Sequence, residues 1–366
     1  MKTIKEAAVF MKSHICSVPD TFEIDDSLKN GFDDTEIIDG VKELRLILQL
    51  IADSIIRDVE TGGEMAATEK PANDFHLTFP ELTSPFFMLF CIGLCGEFPS
   101  GSSEYMAIDG AKLFDVFKKS RGKNHNSYLL FLSNLGFEFS ADIAAKSFKL
   151  NKADVLEVRY PDSPLVLVGL KTLAEATVQI SPQLNKAQKA YAIQPIFMRC
   201  DYHALSLPKK YGFDIRDCSA SLSDERGDFC IKIHDMMLEN GCKCETAYKM
   251  NDFIFTYTSK AAKKVVASLR FGFRGEYIKI NSKRVDEDAS FLAGAPANIS
   301  HAIKNGFNCV KGKDPNACNP KCQYIHFYFD GAEYTKCRHL NFNLPIGAAG
   351  DRDYVKTWLT HELAIH

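Results

Sequence analysis

The chain has 366 residues, 46% of them hydrophobic and 25% charged, with a formal net charge of -3. That length suits two domains of about 100–200 residues better than one, and the apolar share is enough to build a core, which excludes long disorder. Lys and Arg nowhere gather into the basic footprint that phosphate backbones demand, and the longest apolar run, residues 84–94, falls well short of the roughly 20 residues that cross a bilayer. Neither nucleic acid nor a membrane is an expected partner; a small molecule or a protein is.

The first residues intersperse Lys2, Lys5, Glu6 and Lys12 among apolar ones, unlike the unbroken apolar core of a secretory leader, so a cytoplasmic location is expected. In a reducing compartment the twelve cysteines read as thiols or metal ligands, not as a disulfide framework.

In chain order, Asp33 with Glu36 forms a capping-box signal, and Ile37, Val41, Leu44, Leu48, Ile51 and Ile55 recur at helical steps behind it, predicting a long amphipathic helix. Residues 61–73 carry Gly62, Gly63 and Pro71 without periodicity and read as a loop. A buried helix is expected over 86–94, and two more over 111–119 and 127–135, the last closed by Gly136. Strands are predicted at 147–150 and 155–160. Residues 165–177 are apolar on every side, the mark of a helix buried within its domain.

The polar stretch 181–194, broken by Pro182, is the expected boundary, giving a helix-rich domain over 1–190 and a second domain over 195–366. The second opens with a predicted strand, 196–202, and a helix over 224–240 whose apolar stripe is Phe229, Ile233, Met236 and Met237, ended by Gly241. Strands then crowd together at 243–248, 253–258, 264–273 and 276–280, which implies an antiparallel meander. The expected class is therefore α+β: a helix-rich N-terminal domain, then an antiparallel-sheet domain ending in a β-hairpin and a helix.

The sharpest chemical signal lies near the C-terminus, where Cys309, Cys318, Cys322 and Cys337 precede His339. Between them Asp330-Gly331 separates two strand-like runs, a strong signal for a two-residue hairpin turn. Such a turn sets Tyr324 opposite Cys337 and Cys322 opposite His339, and alternation puts Cys322, Cys337 and His339 on one face. These residues, completed by Cys309 or Cys318 from the preceding loop, match the thiolate and imidazole donors of a four-coordinate structural zinc. The spacing is not the paired C-x-x-C of a zinc ribbon. Two other readings stand beside zinc: reduced cysteines packed as small hydrophobes, and redox-active thiols tuned by the neighbouring Lys321 and Lys336.

Other candidates are weaker. Arg199, Asp201 and His203 alternate along the predicted strand and would share a face, either exposed to solvent or, as a cation, an acid and a base, available for catalysis. Ser268, Arg270 and Arg274 form a similar polar face opposite Ala267, Leu269, Phe271 and Phe273. Cys91 with Cys95, and Cys242 with Cys244, read as packing residues. The ending His361-Glu362-Leu363-Ala364-Ile365-His366 approaches the zinc-protease motif but separates its histidines by five positions, about 500° of helix instead of about 400°, and reads as a frayed helix end. Near Asp351 a further helix is expected with an acidic cap. Walker, dinucleotide-binding, nucleophile-elbow and kinase motifs are absent from the sequence. The expected function is a non-enzymatic module that binds a small ligand or a protein and carries a zinc-like staple; an enzyme or redox sensor built on the cysteines or on the Arg199, Asp201 and His203 face is the alternative.

Overall fold

A computed structural model describes residues 3–62, 80–99, 102–121, 125–184, 195–249, 252–272, 275–287, 289–306, 324–337 and 342–365. The chain forms two compact units, Met1–Tyr211 and Gly212–His366. The first is helix-rich and the second is built on antiparallel sheet ending in a hairpin and a helix, so the α+β class is confirmed.

In the first unit, α1 (Ile4–Ser13), α2 (Asp34–Glu60), α3 (Pro80–Cys95), α4 (Gly110–Arg121), α5 (His125–Ser133) and α6 (Leu165–Ile180) accompany a small antiparallel sheet. Its strands are β1 (Gly96–Glu97), β2 (Met106–Ile108), β3 (Glu138–Phe139) and β4 (Leu156–Arg159), in the order β1-β2-β4-β3. The reciprocal cap on α2 forms as its sequence implies: Glu36 N–H donates to the Asp33 carboxylate (2.9 Å) and Asp33 N–H to the Glu36 carboxylate (2.9 Å), satisfying two of the amides a helix start leaves open.

Helix α6 is the hub. Val166, Leu170, Leu173, Ala174 and Ile180 are all buried, as are Lys171, Thr172 and Thr177. The two threonines return their hydroxyls to the carbonyls of Val168 and Leu173, and Lys171 reaches the Gly96 carbonyl (2.8 Å) and the carboxylates of Glu175 and Glu97. Each buried polar group thereby keeps a partner, as burial demands. Against α2 the helix meets backbone to backbone: a Cβ on Gly169 would lie 2.2 Å from the Gly40 carbonyl, and one on Gly40 would lie 2.4 Å from the Leu165 oxygen. Gly93 of α3 has the same need, with Leu170 O 2.6 Å from where its Cβ would be.

Two predicted strands are corrected. Residues 147–149 are a turn end and irregular chain leading into a short 3-10 helix, Leu150–Lys152. Residues 196–200 are turns as well, followed by a 3-10 helix, Tyr202–Ser206. Alternation of apolar and polar residues imitates a strand there, but Cys200 has φ 53° and Asp201 caps the 3-10 helix by accepting from His203 N–H, so the chain reverses instead of extending. The segment belongs to the first unit: Cys16 N–H donates to Arg199 O (2.7 Å), Asp25 N–H to Leu205 O (2.9 Å), and the Cys200 thiol to Val41 O (3.5 Å).

The second unit starts with α7 (Ile215–Ser219) and α8 (Asp224–Glu239), then the meander β5 (Cys242–Lys249), β6 (Asp252–Ser259), β7 (Lys264–Gly272) and β8 (Gly275–Ile280). Gly241, with φ 77°, makes the exit from α8. After α9 (Arg284–Glu287) and α10 (Ala297–Asn305) come the hairpin β9 (Tyr324–Phe329) and β10 (Ala332–Cys337), the strand β11 (Asn343–Pro345) and α11 (Ala349–Ile365). The five-stranded sheet runs β11-β8-β7-β6-β5. Its inner face carries Phe253, Phe255, Tyr257, Leu269, Phe271 and Ile278 in register. Helix α8 attaches to it through His234, whose Nδ1 is 3.0 Å from the Tyr257 hydroxyl, and through Arg226, 3.2 Å from Glu276. On the other face Ser268 is buried and Arg270, expected in solvent, is half-buried over the Tyr277 ring.

The hairpin has the register its turn dictates. Asp330 and Gly331 both take positive φ (47° and 76°), and the pairs run from Ala332↔Phe329 to Cys337↔Tyr324. Ile325, Phe327 and Phe329 face inward. Lys336, also buried, donates to the carbonyls of Lys304 and Gly306 (2.7 Å each), closing the end of α10.

The α2–α6 contact yields a stability prediction. Gly169→Ala places a methyl group inside the space held by the Gly40 carbonyl and should destabilise the chain by about 3 kcal/mol in urea denaturation followed by far-ultraviolet circular dichroism. Gly350→Ala, whose Cβ would meet nothing within 4 Å, is the comparison and should shift stability by about 0.5 kcal/mol or less. Equal midpoints for the two variants would refute the close crossing as the organising contact.

Candidate functional site

Cys309, Cys318, Cys322 and His339 lie outside the described residues, and Cys337 is described through its backbone, opposite Tyr324. Among the described residues no group of three or more His, Cys, Asp or Glu is arranged to hold a metal ion. The eight cysteines outside the cluster are all buried except the half-buried Cys244. Burial pushes the Cys230 thiol up to about 12 and raises that of Cys200 further, so neither is a thiolate near neutrality. Cys91 and Cys95 are core residues of α3, as expected.

Arg199, Asp201 and His203 do come together, though not on a strand face. Arg199 and Asp201 are buried, correcting the solvent-facing expectation. Asp201 Oδ2 accepts from Tyr211 (2.7 Å) and Arg199 (3.3 Å), and its Oδ1 accepts from the His203 backbone amide (3.2 Å) and is 2.9 Å from His203 Nδ1. Burial alone would raise its pKa, but the hydrogen bond with His203 and the Arg199 charge overcome that and hold it below the ordinary value. Tyr211, buried beside this carboxylate, is pushed well above its usual range and stays a donor. A carboxylate on Nδ1 orients an imidazole as it would in a general base. Here the Tyr202 ring stacks on that imidazole at 4.1 Å and the carboxylate is fully committed to local donors, which makes the cluster a lock on the 196–211 turn.

Helix α11 also overturns an expectation. It remains helical through Ile365, and Glu362 is wholly buried. Its carboxylate accepts from Ser282 Oγ, Trp358 Nε1 (3.0 Å), and the amides of Lys283 (2.8 Å) and Arg284 (3.1 Å) at the start of α9. What looks like part of a protease motif is a helix cap contributed from a distant element. Asp351 lies in the first turn of α11 rather than capping it, and accepts from the Asn298 amide (2.9 Å).

The second unit holds an open groove of about 620 Å³ between α8 and α11. Phe229, Ile233 and Met236 line it from α8 together with Glu225, Lys232, Asp235 and Glu239; Ala349, Arg352, Asp353 and Lys356 line it from α11. Both sets recur at helical steps of three and four, so each helix turns one continuous stripe to the groove. Thr360 Oγ1 donates to Met236 Sδ (3.9 Å) beside it. Arg352 is buried, with Nη1 directed at Gly347 O (2.9 Å) and Ile346 O (3.4 Å) and Nη2 at the Glu225 carboxylate (2.8 Å). Sequence reasoning identified Phe229, Ile233 and Met236 as a core stripe; the interleaved Glu225, Lys232 and Glu239 were the sign that its edge borders an opening.

No known protein family, curated protein or solved structure matches the chain. None of the described helices is long and apolar enough to cross a membrane.

His14, whose carbonyl accepts from Arg199 Nε (3.1 Å), makes the first unit sensitive to acid. Burial lowers its pKa from 6.5 to about 4, with the Phe10 carbonyl opposing that shift and the Arg199 charge adding to it. Between pH 6.5 and 4 the unfolded chain holds a proton the folded one lacks, so stability rises with pH across that window. The gap corresponds to roughly 3 kcal/mol, complete above pH 6.5 and lost by pH 4. Denaturation midpoints measured through this range should fall with acidification, and His14→Gln should flatten the slope by most of one proton; an unchanged slope would rule His14 out as the group responsible.

Proposed function

We propose that the protein is a non-enzymatic binding module whose second unit takes a small ligand in the α8–α11 groove. The observation that carries this reading is the groove itself: Met236 and Ala349, backed by the buried Phe229 and Ile233 and bordered by charges of both signs, at a volume within the usual range for small-molecule sites of about 300–1,000 Å³. Methyl-resolved NMR of the full chain labelled at methionine tests it, since Met236 lines the groove. Small amphipathic fragments should shift the Met236 methyl signal, and Ala349→Trp, which fills the groove from an exposed position, should abolish the response. A Met236 signal unmoved by neutral, cationic and anionic fragments alike would sink the proposal.

The reading includes a structural zinc held by three or four of Cys309, Cys318, Cys322 and Cys337, with His339 as a further donor. It is supported by the hairpin register, Tyr324↔Cys337, which is the one that the pairing of Cys322 with His339 inferred from the sequence requires. Such a site would staple the hairpin and supply no open coordination position. Protein purified without added metal should carry zinc by elemental analysis, and Cys322→Ser should lose it. Metal-free wild-type protein would return these cysteines to the reduced or redox-active readings.

A further inference from the structure

We infer that the α8–α11 groove recognises a monocarboxylate with an apolar body, and that the Glu225 side chain is the internal stand-in for the ligand's carboxylate. The inference rests on the groove being a binding site and adds the ligand's chemical class.

Three observations converge on it. Arg352 is 10% exposed and is positioned by two backbone carbonyls, so its guanidinium cannot follow a moving partner. Its remaining outward nitrogen meets the carboxylate of Glu225, a side chain that is 83% exposed. A cation held in place facing a solvent-exposed anion is an exchangeable pair, because ordering the long Glu225 side chain offsets part of the attraction. A ligand carboxylate delivered by an apolar body that covers the half-buried Met236 and the exposed Ala349 gains burial that Glu225 cannot provide.

The charge balance favours a monoanion over a dianion. With Glu225 turned out, Lys232, Arg352 and Lys356 face Asp235, Glu239 and Asp353, so the lining is neutral and one bound carboxylate takes over the position Glu225 left. A phosphate or another dianion would add a second negative charge beside three carboxylates, which disfavours it. An ammonium ligand would have to approach a buried guanidinium whose counter-ion it draws away.

The test uses octanoate, octylammonium and 1-octanol as probes on the full chain, read by the Met236 methyl signal, with Glu225→Gln beside the wild type. Octanoate should bind more tightly than octanol, and Glu225→Gln should tighten octanoate by about three- to fivefold while leaving octanol unchanged, the gain available from removing an exposed ion-pair competitor. Octanol or octylammonium binding as well as octanoate, or an octanoate affinity unaltered by Glu225→Gln, overturns the carboxylate inference while the groove stands. Silence to all three probes removes the groove reading and this one with it.

Discussion

The first unit depends on the absence of two side chains. Where α2 crosses α6, the glycines at 40 and 169 let the helices touch through their backbones, and everything bordering that crossing is set by the separation it permits. The residue after Gly40 contributes the carbonyl that receives the Cys200 thiol, so the turn preceding Asp201 is seated on the same contact. From there the Arg199, Asp201 and Tyr211 lock and the Arg199 bond to the His14 carbonyl follow in succession. Close approach makes the interior dense, and density is what makes a single added methyl costly.

The second unit solves a different problem. A meander joined by short turns buries one face easily, but its last elements, the hairpin and α11, arrive from far along the chain and need specific attachments. Two buried charges supply them: Lys336 closes the end of α10, and Glu362 caps α9. Each is surrounded by groups of opposite polarity, which is the condition under which a buried charge is tolerable at all. The groove is a by-product of this arrangement, since α8 is committed to the sheet through His234 and Arg226 while α11 is committed to α9 through Glu362.

Much of the fold was legible where a local rule and the tertiary structure agree. Asp33 and Glu36 announced the start of α2, Gly136 and Gly241 marked helix ends, and Asp330-Gly331 determined the register of a whole hairpin because a two-residue turn leaves no freedom in the pairing. The failures share a cause. Residues 196–202 alternate like a strand, yet their polar members turn inward to partners as distant as His14, a long-range contact no local pattern encodes. Glu362 appeared to end a frayed helix because nothing in its neighbourhood reveals Ser282, some eighty residues earlier. The groove was hidden for the same reason: the pairing of α8 with α11 is absent from either stripe read alone.

The chain contains a single tryptophan, and it sits in the second unit with its ring against Phe291, Phe342 and Tyr354 and its indole N–H on the Glu362 carboxylate. Light absorbed at the red edge of the protein spectrum is therefore emitted from one known place, beside the cap that holds α11 to α9. The indole hydrogen-bonds to a negative charge within an aromatic enclosure, so its emission colour records whether that carboxylate is in position. The molecule thus carries its own optical gauge of how its last helix is docked, with no label attached.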